Sequence, residues 1–149
     1  MRKNTSGNLA PIIDILRSIE QLSELANSYN NSFEFYNASD HMLFNNSLSL
    51  LVDIGVASKR VSNNIKEDHP EIPWQVMKHF IGVTEKESTL LNREILFDLI
   101  KDKLPRISGI LEEVILSELG NKNFDTEEYQ NYSANNTNFY SELEDSIQD

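Results

Sequence analysis

Residues 54 to 74 read IGVASKRVSNNIKEDHPEIPW, and the architecture depends on how this stretch is parsed. Ile54, Val61 and Ile65 extend an apolar pattern that begins upstream at Leu43, Phe44, Leu48 and Leu51. That spacing predicts one helix over about residues 40 to 67, capped by Ser39 or Asp40. Gly55, Ala57 and Ser58 leave a patch of small side chains in its middle, which lets a second backbone approach closely or is simply tolerated without a role. His69-Pro70-Glu71-Ile72-Pro73-Trp74 ends the helix, because two prolines cannot continue it, and Pro73 can occupy the first position of a short helix from Trp74 to about Ile81.

Upstream, Asn8 or Ser6 can cap a helix starting near Leu9, with Pro11 in its first turn. Ile12, Ile15, Leu16, Ile19, Leu22 and Leu25 recur at spacings of three and four up to the breaker Asn30-Asn31-Ser32. Phe33, Phe35 and Tyr36 read as an aromatic linker. Downstream, Thr84 to Thr89 reads as a polar loop and Asn92 as the cap of a long helix carrying Ile95, Leu96, Leu99, Ile100 and Leu104, then Ile107, Ile110, Leu111, Val114 and Ile115. Pro105 is expected to kink or split it near Leu104, and Gly120 to stop it. The expected fold is all-α, an antiparallel bundle of four to five helices over residues 1 to 119. Residues 120 to 149 are expected to form a polar acidic tail, mostly irregular or loosely docked, with a short helix at 139 to 147.

The formal net charge is −11, but it is unevenly spread. From Asn121 to Asp149 there are seven acids against Lys122, so that segment carries −6 and the remainder −5. An evenly acidic surface would repel a phosphate backbone; a mildly acidic body leaves both RNA and protein open as partners. The absence of cysteine excludes disulfides, thiolate metal sites and cysteine nucleophiles. The dispersed glycines form no phosphate loop, and carboxylates and histidines show no metal spacing, so no cofactor is expected. Met1 to Pro11 lacks the apolar run of a secretory leader, and the most apolar stretch, Leu48 to Val56, is too short for a bilayer. A cytoplasmic protein without a membrane segment is the expectation.

The words inside these helices carry more than their periodicity does. The segment 54 to 74 resembles the part of HepT toxins, a HEPN family, in which an I-G-E-A-x-K-x-[LV]-S helix runs into H-P-E-I-P-W. EILFDLIKDKLP at 94 to 105 is similar to the E-I-[LV]-W-x-x-[IV]-x-x-D-L-P element that comes next in that family, and ILRSIEQL at 15 to 22 to its first helix. The resemblance covers roughly residues 12 to 118. It implies a homodimeric HEPN fold, a metal-independent ribonuclease motif (Arg, four to six residues, His, any residue, Tyr) shared across the dimer cleft, and a small nucleotidyltransferase partner called MNT in a toxin–antitoxin module.

Carried over residue by residue, the motif falls on Ile81, Lys86 and Ser88. The same register places Glu94 and Phe97 on the family's acidic and aromatic positions, and Val56 stands where the family has Glu. Cleavage at a ribose 2′-hydroxyl needs a base, an acid and a cation against the phosphorane; His supplies the proton transfers and Arg a bidentate clamp. Ile81 can do neither, Lys86 is a poor base at its usual pKa, and Ser88 has no phenol. Losing positioned acid–base help alone costs on the order of 10²–10⁴ in rate.

His79 is the fallback candidate, although no Arg precedes it at the motif's spacing and a surface or interface histidine is its plainer reading. His69 reads as part of the turn, His41 as a helix-start residue without chemical duty, and Trp74 as packing. Lys59, Arg60, Lys66 and Lys86 are candidates for contact with a partner or RNA. The sequence therefore points to a HepT-like protein without catalysis, acting through dimerisation and a nucleotidyltransferase partner. A ribonuclease with a diverged site using Lys86 and His79 stands beside it. So does a helical adaptor docking through its acidic tail.

Overall fold

The computed structural model describes residues 7–134, and every regular element among them is a helix. Helix α1 spans Leu9–Ala26 and buries Leu9, Ile12, Ile13, Ile15, Leu16, Ile19 and Leu22, the stripe its spacing predicts. It starts at Leu9 as expected, but of the two expected caps Asn8 does not serve, and Ser6 lies outside the described residues. Asn8 precedes the helix but caps none of its amides. The side chain instead reaches Ser62, its Oδ1 accepting from the Ser62 N–H at 2.7 Å and its Nδ2 donating to Ser62 Oγ at 3.1 Å.

That contact accounts for a second difference. The single helix expected over 40 to 67 is two, α3 at Met42–Arg60 and α4 at Asn63–Asp68. Val61 turns extended (ψ 133°), and Asn8 satisfies the Ser62 amide that the break exposes. Nor does Ser39 or Asp40 cap α3. Ser39, Asp40 and His41 all take left-handed φ values (50°, 57° and 69°), and the turn is held by the His41 Nδ1–H donating to the Tyr36 carbonyl at 2.7 Å. The aromatic linker before them is itself a helix, α2 at Ser32–Asn37, capped by Asn31, whose side chain accepts from the Glu34 N–H at 2.9 Å. Phe35 is buried there between Tyr29 and Phe97, each ring centroid 5.7 Å away.

Helix α5, Trp74–His79, and a 3₁₀ turn at Phe80–Gly82 match the short helix expected after the prolines. Pro73 sits at its N-cap rather than inside it. After a polar turn, Asn92 caps α6 (Arg93–Asp98), accepting from the Glu94 and Ile95 amides at 2.9 and 3.2 Å. The last long stretch is interrupted just before Leu104, as Pro105 leads one to expect, although by a π turn rather than by a loop. The chain passes through a π-helical turn, Leu99–Lys103, into α7, Leu104–Gly120. There the Leu104 amide bonds to the Leu99 carbonyl, five residues back. The wider turn places the proline at the start of α7, where its missing N–H costs nothing.

Two cross-links give the helix directions. Arg60 near the end of α3 pairs with Asp14 in the first half of α1 at 3.2 Å, so α1 and α3 run antiparallel. Lys101 in the π turn donates to the Ala26 carbonyl at the end of α1 at 3.2 Å, so α7 runs back along α1. The core lies between these rods: Leu51 and Ile54 from α3, Leu104, Leu111 and Ile115 from α7, with the α1 stripe between them.

The chain does not leave the body at Gly120. Phe124 and Tyr129 are buried (5% and 1% exposed), and α8, Thr126–Ala134, lies against the middle of α1, where the Arg17 guanidinium sits 5.6 Å from the Tyr132 ring centroid. The first part of the expected tail is thus a docked helix. The short helix expected at 139 to 147 lies outside the described residues. Among the described residues no helix is long and apolar enough to cross a membrane.

Candidate functional site

Gly55 decides where the candidate site forms. A Cβ at this position would stand 2.7 Å from Ile81 Cγ1, 2.9 Å from the Ile81 backbone nitrogen and 2.9 Å from the Met77 carbonyl oxygen. Glycine therefore lets α5 and its 3₁₀ turn lie directly on α3. Ser58 completes the small patch, donating to the Gly55 carbonyl at 2.8 Å while fully buried.

The HPEIPW turn fixes the other end of α5. The Trp74 Nε1–H donates to the His69 carbonyl at 3.0 Å, and the indole is 7% exposed, as its packing role requires. The His69 Nε2–H donates to the Glu118 carboxylate at 2.8 Å, and Glu118, 2% exposed, also accepts from Asn123 Nδ2 at 2.7 Å. A buried carboxylate between two donors is satisfied rather than stranded. His69 is structural, and so is His41, whose ring lies 4.3 Å from Tyr36.

On this platform sits a shallow groove of about 630 Å³ lined by Lys59, Lys78, His79, Ile81, Gly82, Glu85, Glu87, Ser88, Thr89 and Leu90. Two of the three carried-over motif positions meet here. Ile81 presents a partly exposed aliphatic chain seated over Gly55. Ser88 is engaged as a cap, its Oγ accepting from the Leu90 N–H at 3.2 Å at the start of the 3₁₀ turn Thr89–Leu91. Lys86, the third, is exposed on the intervening turn and does not line the groove. His79 does line it, on the exposed end of α5. Among the described residues no arginine lines it.

The four proposed contact residues separate. Lys59 faces this groove, whereas Arg60 lines a second cleft, about 360 Å³, between α1 and α3 together with Asp14, Arg17 and Asp53. Lys66 at the end of α4 is half-buried, and burial together with the Lys78 charge lowers its pKa below the usual lysine value. Lys78 is the residue that sequence reading missed. Its neighbour His79 draws attention for its imidazole, and nothing in the local pattern says that α4 and α5 bring Lys66 and Lys78 within electrostatic reach. Among the described residues no group of three or more His, Asp or Glu could hold a metal ion.

The helices form an all-α bundle that fits a HEPN-like fold. Over 61 residues the chain is 31% identical to the Probable ribonuclease HepT of Thermococcus cleftensis; the match takes in 41% of this chain and spans 56% of that protein's length. No protein-family model matches the chain, and no solved structure matches it.

Proposed function

We propose that this chain is a HepT-like HEPN protein of a toxin–antitoxin type that does not cleave RNA and acts by binding, as a homodimer and toward a nucleotidyltransferase partner. The observation that carries this reading is the groove itself. The positions corresponding to the family's Arg and Tyr lie together on it, yet one is an isoleucine packed on Gly55 and the other a serine whose hydroxyl is committed to a cap. Neither offers a phosphate clamp or a phenol, and the Lys86 ammonium stands off the groove. The similarity to a HepT ribonuclease supports the kinship. The HPEIPW platform that supports α5 is intact, so the scaffold persists where the chemistry does not.

Three measurements on the purified chain test this. Incubation with structured and single-stranded RNA is expected to leave the RNA intact. Light scattering with size exclusion is expected to give a dimer mass. Co-purification with a co-expressed small nucleotidyltransferase is expected to give a complex. RNA fragments that vanish on a single body substitution would overturn the non-catalytic reading.

A second reading has one observation in its favour: His79 lines the groove beside Lys59 and Lys78, so an imidazole and two ammonium groups converge there. Under that reading His79→Ala abolishes cleavage and growth arrest in a bacterial host; under the first, there is no activity to abolish.

A further inference from the structure

The cleft between α1 and α3 that holds Arg17, Val56 and Arg60, about 360 Å³, does not stand alone. A second cleft of about 480 Å³ continues it, and the two share Gln21 and Leu50. On α3 the lining runs from Arg60 back to Asn46, about 21 Å at the α-helical rise per residue. Val56, 46% exposed, and the half-buried Leu50 and Leu25 give this long groove an apolar strip between two antiparallel rods. The described part of the chain stops at one end of it. Tyr129 anchors α8 in the core, and Tyr132, less than a turn before Ala134, lies beside Arg17.

Residues 135 to 149 lie outside the described ones, but their sequence carries a pattern that fits this groove. Placed at about 100° per residue, Phe139, Tyr140, Leu143 and Ile147 fall within one sector about 100° wide, and Glu142, Glu144, Asp145 and Asp149 all fall outside it. Helices that dock in grooves present anchors at such spacings of three and four. We propose that residues 139 to 147 dock as a helix in the α1–α3 groove of their own chain, with the apolar stripe against Val56, Leu50 and Leu25. The lengths agree. Residues 135 to 138 bridge up to about 13 Å from Ala134, and 139 to 147 as a helix cover about 13 Å of groove. Charge fixes which side faces in. Glu24 and Asp53 line the groove and are exposed, so a segment this acidic can turn only its apolar side to them and leaves its carboxylates in water. A tail from another molecule arrives at the concentration of the protein, whereas the short tether holds this one at an effective concentration on the order of millimolar. Docked, the tail closes this face, and an apolar helix from a partner enters only by displacing it. The inference is independent of whether the chain cuts RNA.

The chain has no cysteine, so disulfide trapping in the full chain reports the contact. Val56→Cys is combined in turn with Phe139→Cys, Tyr140→Cys, Leu143→Cys or Ile147→Cys, and with Glu142→Cys or Asp145→Cys as controls off the stripe. A disulfide needs Cα atoms within about 7 Å of each other. At least one stripe position is expected to close with position 56 inside a single chain, about tenfold faster than either control. Absence of a disulfide, equal rates at stripe and control positions, or a disulfide joining two chains overturns the proposal. Leu143→Asp in the otherwise unaltered chain is an independent check. It is expected to shift the methyl NMR signals of Leu25, Leu50 and Val56, while Leu111 and Ile115 in the core keep theirs and report that the body stays folded. Unmoved signals at Leu25, Leu50 and Val56 overturn the proposal as well.

Discussion

Gly55 and Ile81 meet at a distance that leaves no room for a side chain at position 55, and the cost of placing one there can be estimated. Gly55→Ala forces either the Ile81 side chain or the α5 backbone to move, since two of the three atoms it would strike are main-chain. Overpacking of this kind costs about 1–3 kcal/mol, so thermal denaturation is expected to show a melting point several degrees lower. His69 makes a second test. His69→Ala removes one of the donors of a carboxylate that is 2% exposed, and breaking a buried pair from one side costs about 3 kcal/mol. Glu118→Gln keeps one acceptor oxygen for the two donors, its amide N–H pairs only after His69 changes tautomer or the Asn123 amide turns over, and it leaves no buried charge, so it is expected to cost less; urea denaturation of the two variants ranks them.

Lys66 gives the pH dependence. Its pKa is lowered in the fold, by burial first and by Lys78 second. Between the folded and unfolded values the unfolded chain binds the extra proton, so stability rises with pH through that alkaline interval and the charged side chain costs stability below it. Lys66→Gln is accordingly expected to raise the melting temperature near neutral pH, with the gain shrinking as pH climbs through the lysine range. At the residue scale much is legible in the sequence: the close approach at Gly55, the packing of Trp74 and the structural duty of His69 all stem from residue type and position. Partnership across the chain is not legible. The Asn8–Ser62 clamp joins residues far apart in sequence, and the Lys66–Lys78 encounter depends on how two short helices fold against one body.

At the scale of elements, caps and breakers explain both the agreements and the differences. Asn92 is a capping residue in the expected place, and Asn92→Ala is expected to cost about 1 kcal/mol, measurable as a lower midpoint of denaturation. The helix at Ser32–Asn37 is hidden in the sequence because six residues are too few to show a period. The division of α3 from α4 is hidden because Val61 and Ile65 keep the apolar spacing across it. Asn8, not the local sequence, makes the break tolerable. Pro105 announces a disruption, but its remedy, a π turn, leaves no mark on the spacing of Leu96, Ile100, Leu104 and Ile107.

On the scale of the whole molecule, the boundary expected near Gly120 divides what the structure joins. The segment after α7 contributes Phe124 and Tyr129 to the core and ties itself to the HPEIPW turn through Asn123 and Glu118. Its polar composition conceals this, because two aromatics at a five-residue spacing give no apolar face. Tyr129→Ala is expected to destabilise the entire fold by about 3–5 kcal/mol, read as one cooperative shift in calorimetry. Independent loss of a peripheral helix would instead give a separate early transition. Of the positions that the motif spacing singles out, Ile81 and Ser88 line one groove and Lys86 does not, and the presence of Lys78 there has no sign in the sequence.

The five residues Leu99–Lys103 also set a phase. A π turn is an α-helix holding one residue too many, and each residue advances an α-helix by about 100°. Remove any one of the five and α6 and α7 could join as an unbroken α-rod, but only by rotating one half against the other. Leu96 would then point inward only if Ile107, Leu111 and Ile115 swung about 100° away from the core. The superfluous residue works like the offset tooth of a gear. It lets the half of the rod that faces α2 and the half that faces α1 mesh at once.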